Sequence, residues 1–410
     1  MRLTVLRRTT RLIASGALAL VAVHEASAQG TARSLDLDPS VRAAGMALAS
    51  NAVFWGGTPN HWANPALLAY ERGLRYEWGK TQLVPDFADD VFFETKRLTL
   101  GGGGLALALA GRPLDRLGGL LVDYGAIELT DPSGNSIGTY HAFEKIRSWS
   151  FGVSLAELAE NAASLMHQAP PRLARYGDIS FGWSRKDVAI SLAPWSAGKA
   201  STTAHDVGLL VRVTPVNSID GHADAAWPVR MDASYGWSIL SYDDAKVIFL
   251  DEDRADPVSR HRRSGVAGRF ALGLPRGMRR SLEEHRIGWM IPGFTPLASI
   301  SVAYDHARVS AGDDDSPSSS YVTDGIGFEF TLANVISLRQ GWYEDLDGEI
   351  DGTTFGWSVG LPLGALAGIR YDRARFPQAR GLTDLQREAW TAWVDPLAVW
   401  AALRSGTARD

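Results

Sequence analysis

The sequence predicts an all-β chain, an antiparallel transmembrane β-barrel of about fourteen strands, on three observations. Amphipathic runs recur from Gly73 to the end, with Gly, Pro, Asp and Ser between them. Within the runs the period is two: Ile179, Phe181 and Trp183 alternate with Ser180, Gly182 and Ser184, and Ile326, Phe328 and Phe330 alternate with Gly327 and Glu329. One face is large and apolar, the other small or polar. An export-type leader precedes them. Periodicity alone fits a soluble sandwich as well, because an apolar face serves a core or a lipid boundary equally. Aromatic residues at the predicted strand ends, among them Tyr76, Trp78, Trp149, Trp342 and Trp390, favour the barrel, whose two girdles lie at the membrane interfaces.

Residues 1–28 read as a signal peptide. Arg2, Arg7, Arg8 and Arg11 precede an apolar run from Leu12 to Val23, too short to span a bilayer, and Ala26-Ser27-Ala28 supplies the cleavage pattern. Removing four Arg and one Glu shifts the net charge from −5 to −8. An acidic mature chain disfavours a nucleic-acid partner. The chain has no Cys, which excludes disulfides, thiolate metal sites and a Cys nucleophile. No later segment has the apolar run of a membrane helix, so a membrane location requires strands.

Residues 29–72 are rich in small side chains and centre on Asn64-Pro65-Ala66. Pro65 removes a backbone donor and drives Asn64 out of the helical region, while the Asn side chain can bond nearby backbone. A compact, non-repetitive plug leading into a sheet is expected. The barrel is assigned to residues 73–394 and a small tail to 395–410. Predicted strands include 92–108 and 117–129, joined by a tight turn at Gly111–Asp115. The phase slips near Lys186-Asp187, so 177–192 is one bulged strand or two. Leu155, Leu158, Ala162 and Leu165 lie at helical spacing, with Ser154 and Glu157 as a capping box. That short helix is expected on the periplasmic side, and residues 276–284 are a second helical candidate.

Enzyme motifs are weak. Gly356-Trp357-Ser358-Val359-Gly360 matches a nucleophile elbow, but a strand-like run follows it where the elbow needs a helix. Gly101–Gly104 lacks the Lys-Ser/Thr of a phosphate loop and reads as a bulge or kink. The acidic run from Asp345 to Gly352 lacks the spacing of a calcium loop. The His residues show no metal spacing, and nothing in His205, Asp206 and His222 draws them into one site. No catalytic residue, metal or cofactor is expected.

The stretch Gly45–Ser50, then Asn64-Pro65-Ala66-Leu67-Leu68, then a Gly-led strand, resembles the start of FadL-type and PorV/PorQ-type outer-membrane proteins. Residues 131–138 resemble a PorV-type second outer loop. Gly325–Phe330 with Leu338–Asp345 resembles a late hairpin of the same superfamily, whereas 177–296 aligns with nothing in it. The resemblance implies a fourteen-stranded barrel with an N-terminal periplasmic hatch whose motif is Asn64, Pro65 and Ala66. It further implies a bacterial outer-membrane location, contact with outer-membrane lipid and insertion by the barrel-assembly machinery. Passage of hydrophobic or amphiphilic small molecules is the function implied by FadL-type members. Binding of a secreted protein cargo is the alternative implied by PorV-type members, and a soluble periplasmic β-protein without a channel is a third reading. Two departures stand out: Trp390 and Trp393 are followed by Asp395-Pro396 and a tail rather than ending the chain, and residues 154–175 read as an insertion.

Overall fold

The structure is a computed structural model. It describes residues 32–400 apart from 112–118, 167–172, 220–225, 250–254, 286–290, 292–294, 312–319 and 346–349. The leader expected at 1–28, the core of the turn expected at Gly111–Asp115, His222, residues 346–349 of the acidic run and the end of the tail lie outside the described residues.

The strands in order are β1 (Gly73–Gln82), β2 (Val91–Gly102), β3 (Leu105–Ala110), β4 (Gly119–Thr130), β5 (Ser136–Ser154), β6 (Gly177–Ser191), β7 (Lys199–Asn217) and β8 (Val229–Leu240). A two-residue pair follows, β9 (Lys246–Val247) with β10 (Asp256–Pro257). Then come β11 (Ser259–Leu272), β12 (Ala298–Ala311), β13 (Ser320–Leu332), β14 (Ile336–Asp345), β15 (Ile350–Leu363), β16 (Ala367–Phe376) and β17 (Leu385–Val394).

Apart from the β9–β10 pair, all fifteen described strands belong to one antiparallel sheet, and β1 pairs with both β2 and β17, so the sheet closes. β3 and β4 share one position in the wall, because each pairs with β2 on one side and β5 on the other. Fifteen strands thus fill fourteen positions. Closure leaves no unpaired edge, which a sheet in hydrocarbon cannot tolerate.

The shared position corrects the expected strand 92–108. β2 ends at Gly102, and the chain reverses at Gly103 and Gly104, whose φ values of 64° and 86° suit glycine. The four glycines therefore form a strand end and hairpin turn, not a bulge. The strand order survives because β3 and β4 run the same way. The expected slip near Lys186 is also absent: β6 is continuous and its register with β5 and β7 is unbroken. What changes there is chemistry, because Val188 and Ile190 turn inward together with Lys186. β5 is long, running from Ser136 to Ser154.

The rim holding Gly73 and Val394 is called the lower rim here, and the opposite rim the upper. Strand direction puts the connections after β1, β4, β6, β8, β12, β14 and β16 at the upper rim, so the segments after Leu240, Ala311 and Asp345 share one side. The helix Leu155–Leu165 and the exposed helix Arg276–Glu284 lie at the lower rim. Ser154 caps the first by accepting from the Glu157 amide at 3.2 Å. The reciprocal half of the capping box is missing: the Glu157 carboxylate accepts from Arg72 at 2.7 Å, and the Ser154 amide donates to Gly104 O.

The outward face is apolar. Ile300, Phe330 and Leu338 are mutual neighbours across β12, β13 and β14, and each is at least 42% exposed. Trp78, Trp390 and Tyr371 form another outward row across β1, β17 and β16, in mid-strand rather than at the strand ends the sequence suggested. The inward face is polar, with Arg97, Lys186, Asp206, Glu329 and Arg339 all buried. An apolar exterior around a polar interior is the reverse of a soluble barrel and the pattern of an outer-membrane one. Among the described residues no helix is long and apolar enough to cross a membrane.

Candidate functional site

The inner face of the barrel is lined by small residues at the height where the N-terminal segment 33–72 crosses the lumen. A side chain on Gly182 would overlap the Pro65 carbonyl carbon, one on Gly208 the Asn64 Oδ1, and one on Gly236 the Asn51 carbonyl oxygen. Gly325 and Gly327, on the far wall, meet the carbonyls of Ala47 and Met46 in the same way. The Gly and Ser positions that make the strands alternate large and small are thus where segment backbone lies directly against strand backbone.

Asn64 is fully buried and precedes a short 3₁₀ turn, Pro65–Tyr70. Its Oδ1 accepts from the Ala66 amide at 3.0 Å, and its Nδ2 donates to Asn51 O at 2.9 Å and to Leu209 O of β7 at 3.1 Å. Pro65 fits the first position of that turn because the missing donor is not needed there. Ala66 O accepts from Ser180 Oγ at 3.2 Å. Asn51 is the second anchor: its Nδ2 donates to Gly236 O at 2.9 Å and its Oδ1 accepts from Ser238 Oγ at 3.0 Å. Asp305 accepts from the amides of Ser50 and Asn51 at 2.9 and 2.8 Å, and Thr354 Oγ1 accepts from the Ala47 amide at 3.0 Å. Segment backbone that has no sheet partner is satisfied by strand side chains, as buried polar groups require.

Charge holds one end of the segment. Arg42 donates to Glu329 at 3.0 and 2.5 Å and to the carbonyl of Trp55 at 2.6 Å. Glu329 also accepts from Arg339 at 2.7 Å, and Arg339 donates to Asp372 at 2.8 Å and to Ser358 at 3.1 Å. Ser358, the central residue of the elbow-like motif, is therefore a buried acceptor inside β15 with no turn into a helix beside it. His205 and Asp206 face opposite ways: His205 contacts Asp243 at 2.5 Å and stacks on Trp183, whereas Asp206 pairs inward with Lys186 at 2.7 Å. Among the described residues no group of three or more His, Asp or Glu gathers into a metal site.

Towards the upper rim the lumen becomes apolar. Phe93, Leu120, Val122, Ile146, Val188 and Ile190 are buried together with Trp62 and Leu35 of the segment. The inward apolar residues of β2, β4, β5 and β6 form a strip ending near Ala110 and Gly119, where the position shared by β3 and β4 is interrupted. Lys186 lies 3.6 Å from the Trp62 ring centroid at its margin. Burial, reinforced by the charges of Arg97 and Lys186, lowers the His61 pKa to about 3, so its ring is neutral in the folded chain. Tyr70, whose hydroxyl donates to Asp178 at 2.8 Å, is raised from its ordinary value by burial and by that carboxylate.

The sequence reading missed this strip, Asn51 and the Arg42–Glu329–Arg339–Asp372 chain. The inverted phase after Lys186 was the only local signal of the strip. The links of the charged chain span 287, 10 and 33 residues, and no spacing rule joins them.

No family model matches the chain, and no curated protein matches it. Among solved structures, the toluene transporter TbuX of Ralstonia pickettii is 10% identical, with 88% of this chain and 98% of that chain covered at a TM-score of 0.37. A FadL homologue of Pseudomonas aeruginosa is 11% identical over 87% and 98% at 0.34. The monoaromatic hydrocarbon channel CymD is 8% identical over 85% and 96% at 0.35. At these TM-scores the likeness adds nothing to the fold, which rests on strand pairing. By that pairing and its apolar exterior, the chain is an outer-membrane-type β-barrel of fourteen strand positions.

Proposed function

We propose that the barrel mediates passage of hydrophobic or amphiphilic small molecules across the outer membrane, with residues 29–72 as a hatch and Asn64, Pro65 and Ala66 as its motif. The apolar strip inside the lumen carries this reading. A water-filled pore keeps its lumen polar, and a wall of Phe93, Leu120, Val122, Val188 and Ile190 disfavours polar solutes. Apolar surface removed from water on such a strip contributes about 25 cal/mol per Å². A solute entering from the upper rim would descend along β2, β4, β5 and β6 towards the segment. The segment is held by hydrogen bonds to strand side chains, by apolar packing and by ion pairs such as Arg42–Glu329 and Asp38–Arg263, none of them part of the strand ladders, so its displacement leaves the wall ladders intact.

The test is entry of an uncharged hydrophobic dye into cells carrying wild type, Val188→Asp or Ile190→Asp. Each variant is expected to slow dye entry while the barrel still shifts in mobility on boiling. Unchanged entry in both variants, with the protein assembled, would remove the strip from the path.

A further inference from the structure

On three parts of the wall an outward aromatic side chain donates to an acid nearer the upper rim. Trp78 Nε1 donates to Glu94 at 3.0 Å, Tyr371 OH to Glu388 at 2.7 Å and Tyr304 OH to Asp324 at 2.6 Å. The registers fix the direction. Trp78 faces Lys96 and Lys80 faces Glu94; Tyr371 faces Trp390 and Arg373 faces Glu388; Tyr304 faces Ile326 and His306 faces Asp324. Each ring therefore sits on the apolar face with its polar tip aimed upward. Side chains with one apolar end and one wet end belong at a membrane interface.

Above these rings the wall turns inside out. On β6, Ile179 and Phe181 point outward and Ser180 and Ser184 inward; beyond Trp183, Arg185 and Asp187 point outward and Val188 and Ile190 inward. On β2, Leu98 and Leu100 point outward below the row, whereas above it Glu94 points outward and Phe93 inward. On β16, Ile369 is outward below Tyr371, and Arg373 and Arg375 are outward above it with Ala374 and Phe376 inward. Charged groups on the lipid face are costly in hydrocarbon and tolerated at its interfaces. The outward face of β15 is apolar from Phe355 to Leu363. At about 3.3 Å per residue and a tilt near 40°, that run is roughly 20 Å tall, most of an outer-membrane apolar band of about 25 Å. The boundary steps in register around the wall, with Phe355 of β15 opposite Arg375 of β16, as the stagger of a closed barrel requires.

We propose that the hydrocarbon of the upper-side leaflet ends at this aromatic row, and that the polar wall above it is a contact surface for lipid head groups. The apolar strip of the lumen, which holds Val188 and Ile190, then lies above the hydrocarbon behind a single strand layer. Long charged side chains such as Lys80 and Arg373 reach head groups while their stems cover the wall. Lys80 lies 4.2 Å from the Phe92 ring centroid in this manner. On β6 the wall rises further. Ala189 is outward and exposed beside Val188 and Ile190. By the same geometry it stands roughly 15 Å above Trp183, beyond a head-group layer of roughly 5–8 Å. This placement concerns the outer face and is independent of the solute reading: it holds whether or not anything passes through the lumen.

The experiment is depth-dependent quenching of a bimane label on single Cys variants of the full chain, which has no Cys of its own. The assembled protein is reconstituted in dioleoyl phosphatidylcholine vesicles that carry a nitroxide either on the head group or at mid-chain. Ala233→Cys and Ala392→Cys report the face below the row, Lys80→Cys and Arg373→Cys the wall just above it, and Ala189→Cys the height of the strip; all five positions are exposed. Two sites at each of the first two heights keep the test open if one variant fails to assemble, and boiling-dependent mobility reports assembly. The mid-chain probe should quench more strongly at Ala233 and Ala392. The order should reverse at Lys80 and Arg373, and Ala189 should escape the mid-chain probe. Stronger mid-chain quenching at Lys80 and Arg373 would put hydrocarbon over the charged wall and overturn the proposal. Absence of quenching by either probe at both of those sites would place that wall in water and overturn it as well. Mid-chain quenching at Ala189 would return the strip to hydrocarbon height, with the same consequence.

Discussion

Asn64 and Gly208 are complementary: the Asn64 side-chain oxygen occupies the space where any side chain on residue 208 would begin. The pair joins the segment to β7, because the Asn64 amide reaches the Leu209 carbonyl one residue on.

Asn64→Ala removes three hydrogen bonds, to Ala66 N, Asn51 O and Leu209 O. Each buried group left unpaired costs roughly 1–3 kcal/mol. That is small against a closed barrel and falls on the bonds that seat the segment against β7. The variant is expected to keep its boiling-dependent mobility and to expose residues 45–60 to limited proteolysis. Failure to assemble would give Asn64 a folding role instead; wild-type behaviour in both assays would make it an ordinary turn residue.

Arg339 is fully buried between Glu329 and Asp372. Arg339→Met leaves two carboxylates short of a partner, and breaking a buried pair typically costs about 3–5 kcal/mol. The urea midpoint of the purified barrel should fall markedly. Arg373→Met, next to Asp372 on β16 but exposed, should leave the midpoint within error.

The His61 pKa is lowered from 6.5 to about 3 in the folded chain. Between those values the unfolded or undocked chain binds a proton that the folded chain does not, so stability is full above about pH 6.5 and declines as pH falls towards 3. Protease resistance of the segment should drop across that window. His61→Gln should flatten the drop; an identical profile in the variant would assign the acid sensitivity to other groups.

Sidedness is testable because the chain has no Cys. Single Cys substitutions at Ser133 and Arg380, both exposed at the upper rim, should react with an impermeant maleimide on intact cells. Substitutions at Ala365 and Ser281, exposed at the lower rim, should react only after the outer membrane is opened. Labelling of one upper site and one lower site together would show that a strand is miscounted.

The sequence alone determined the period of the strands, their approximate number and the start of the first strand at Gly73. These are local properties: alternation sets which face a residue takes. Two local readings failed for local reasons. The turn at Gly103-Gly104 was hidden by apolar alternation on both sides of it, and the apparent slip at Lys186 came from apolar residues turning inward rather than from a change of register. Only the tertiary structure decided what meets inside the barrel. Gly182, Gly208 and Gly236 lie on successive strands β6, β7 and β8, yet their reason for being glycine is Pro65, Asn64 and Asn51, which lie more than a hundred residues earlier. The same holds for Arg42 with Glu329. Closure of the sheet brings these residues together, and closure depends on every strand being paired at once, which no window of sequence records.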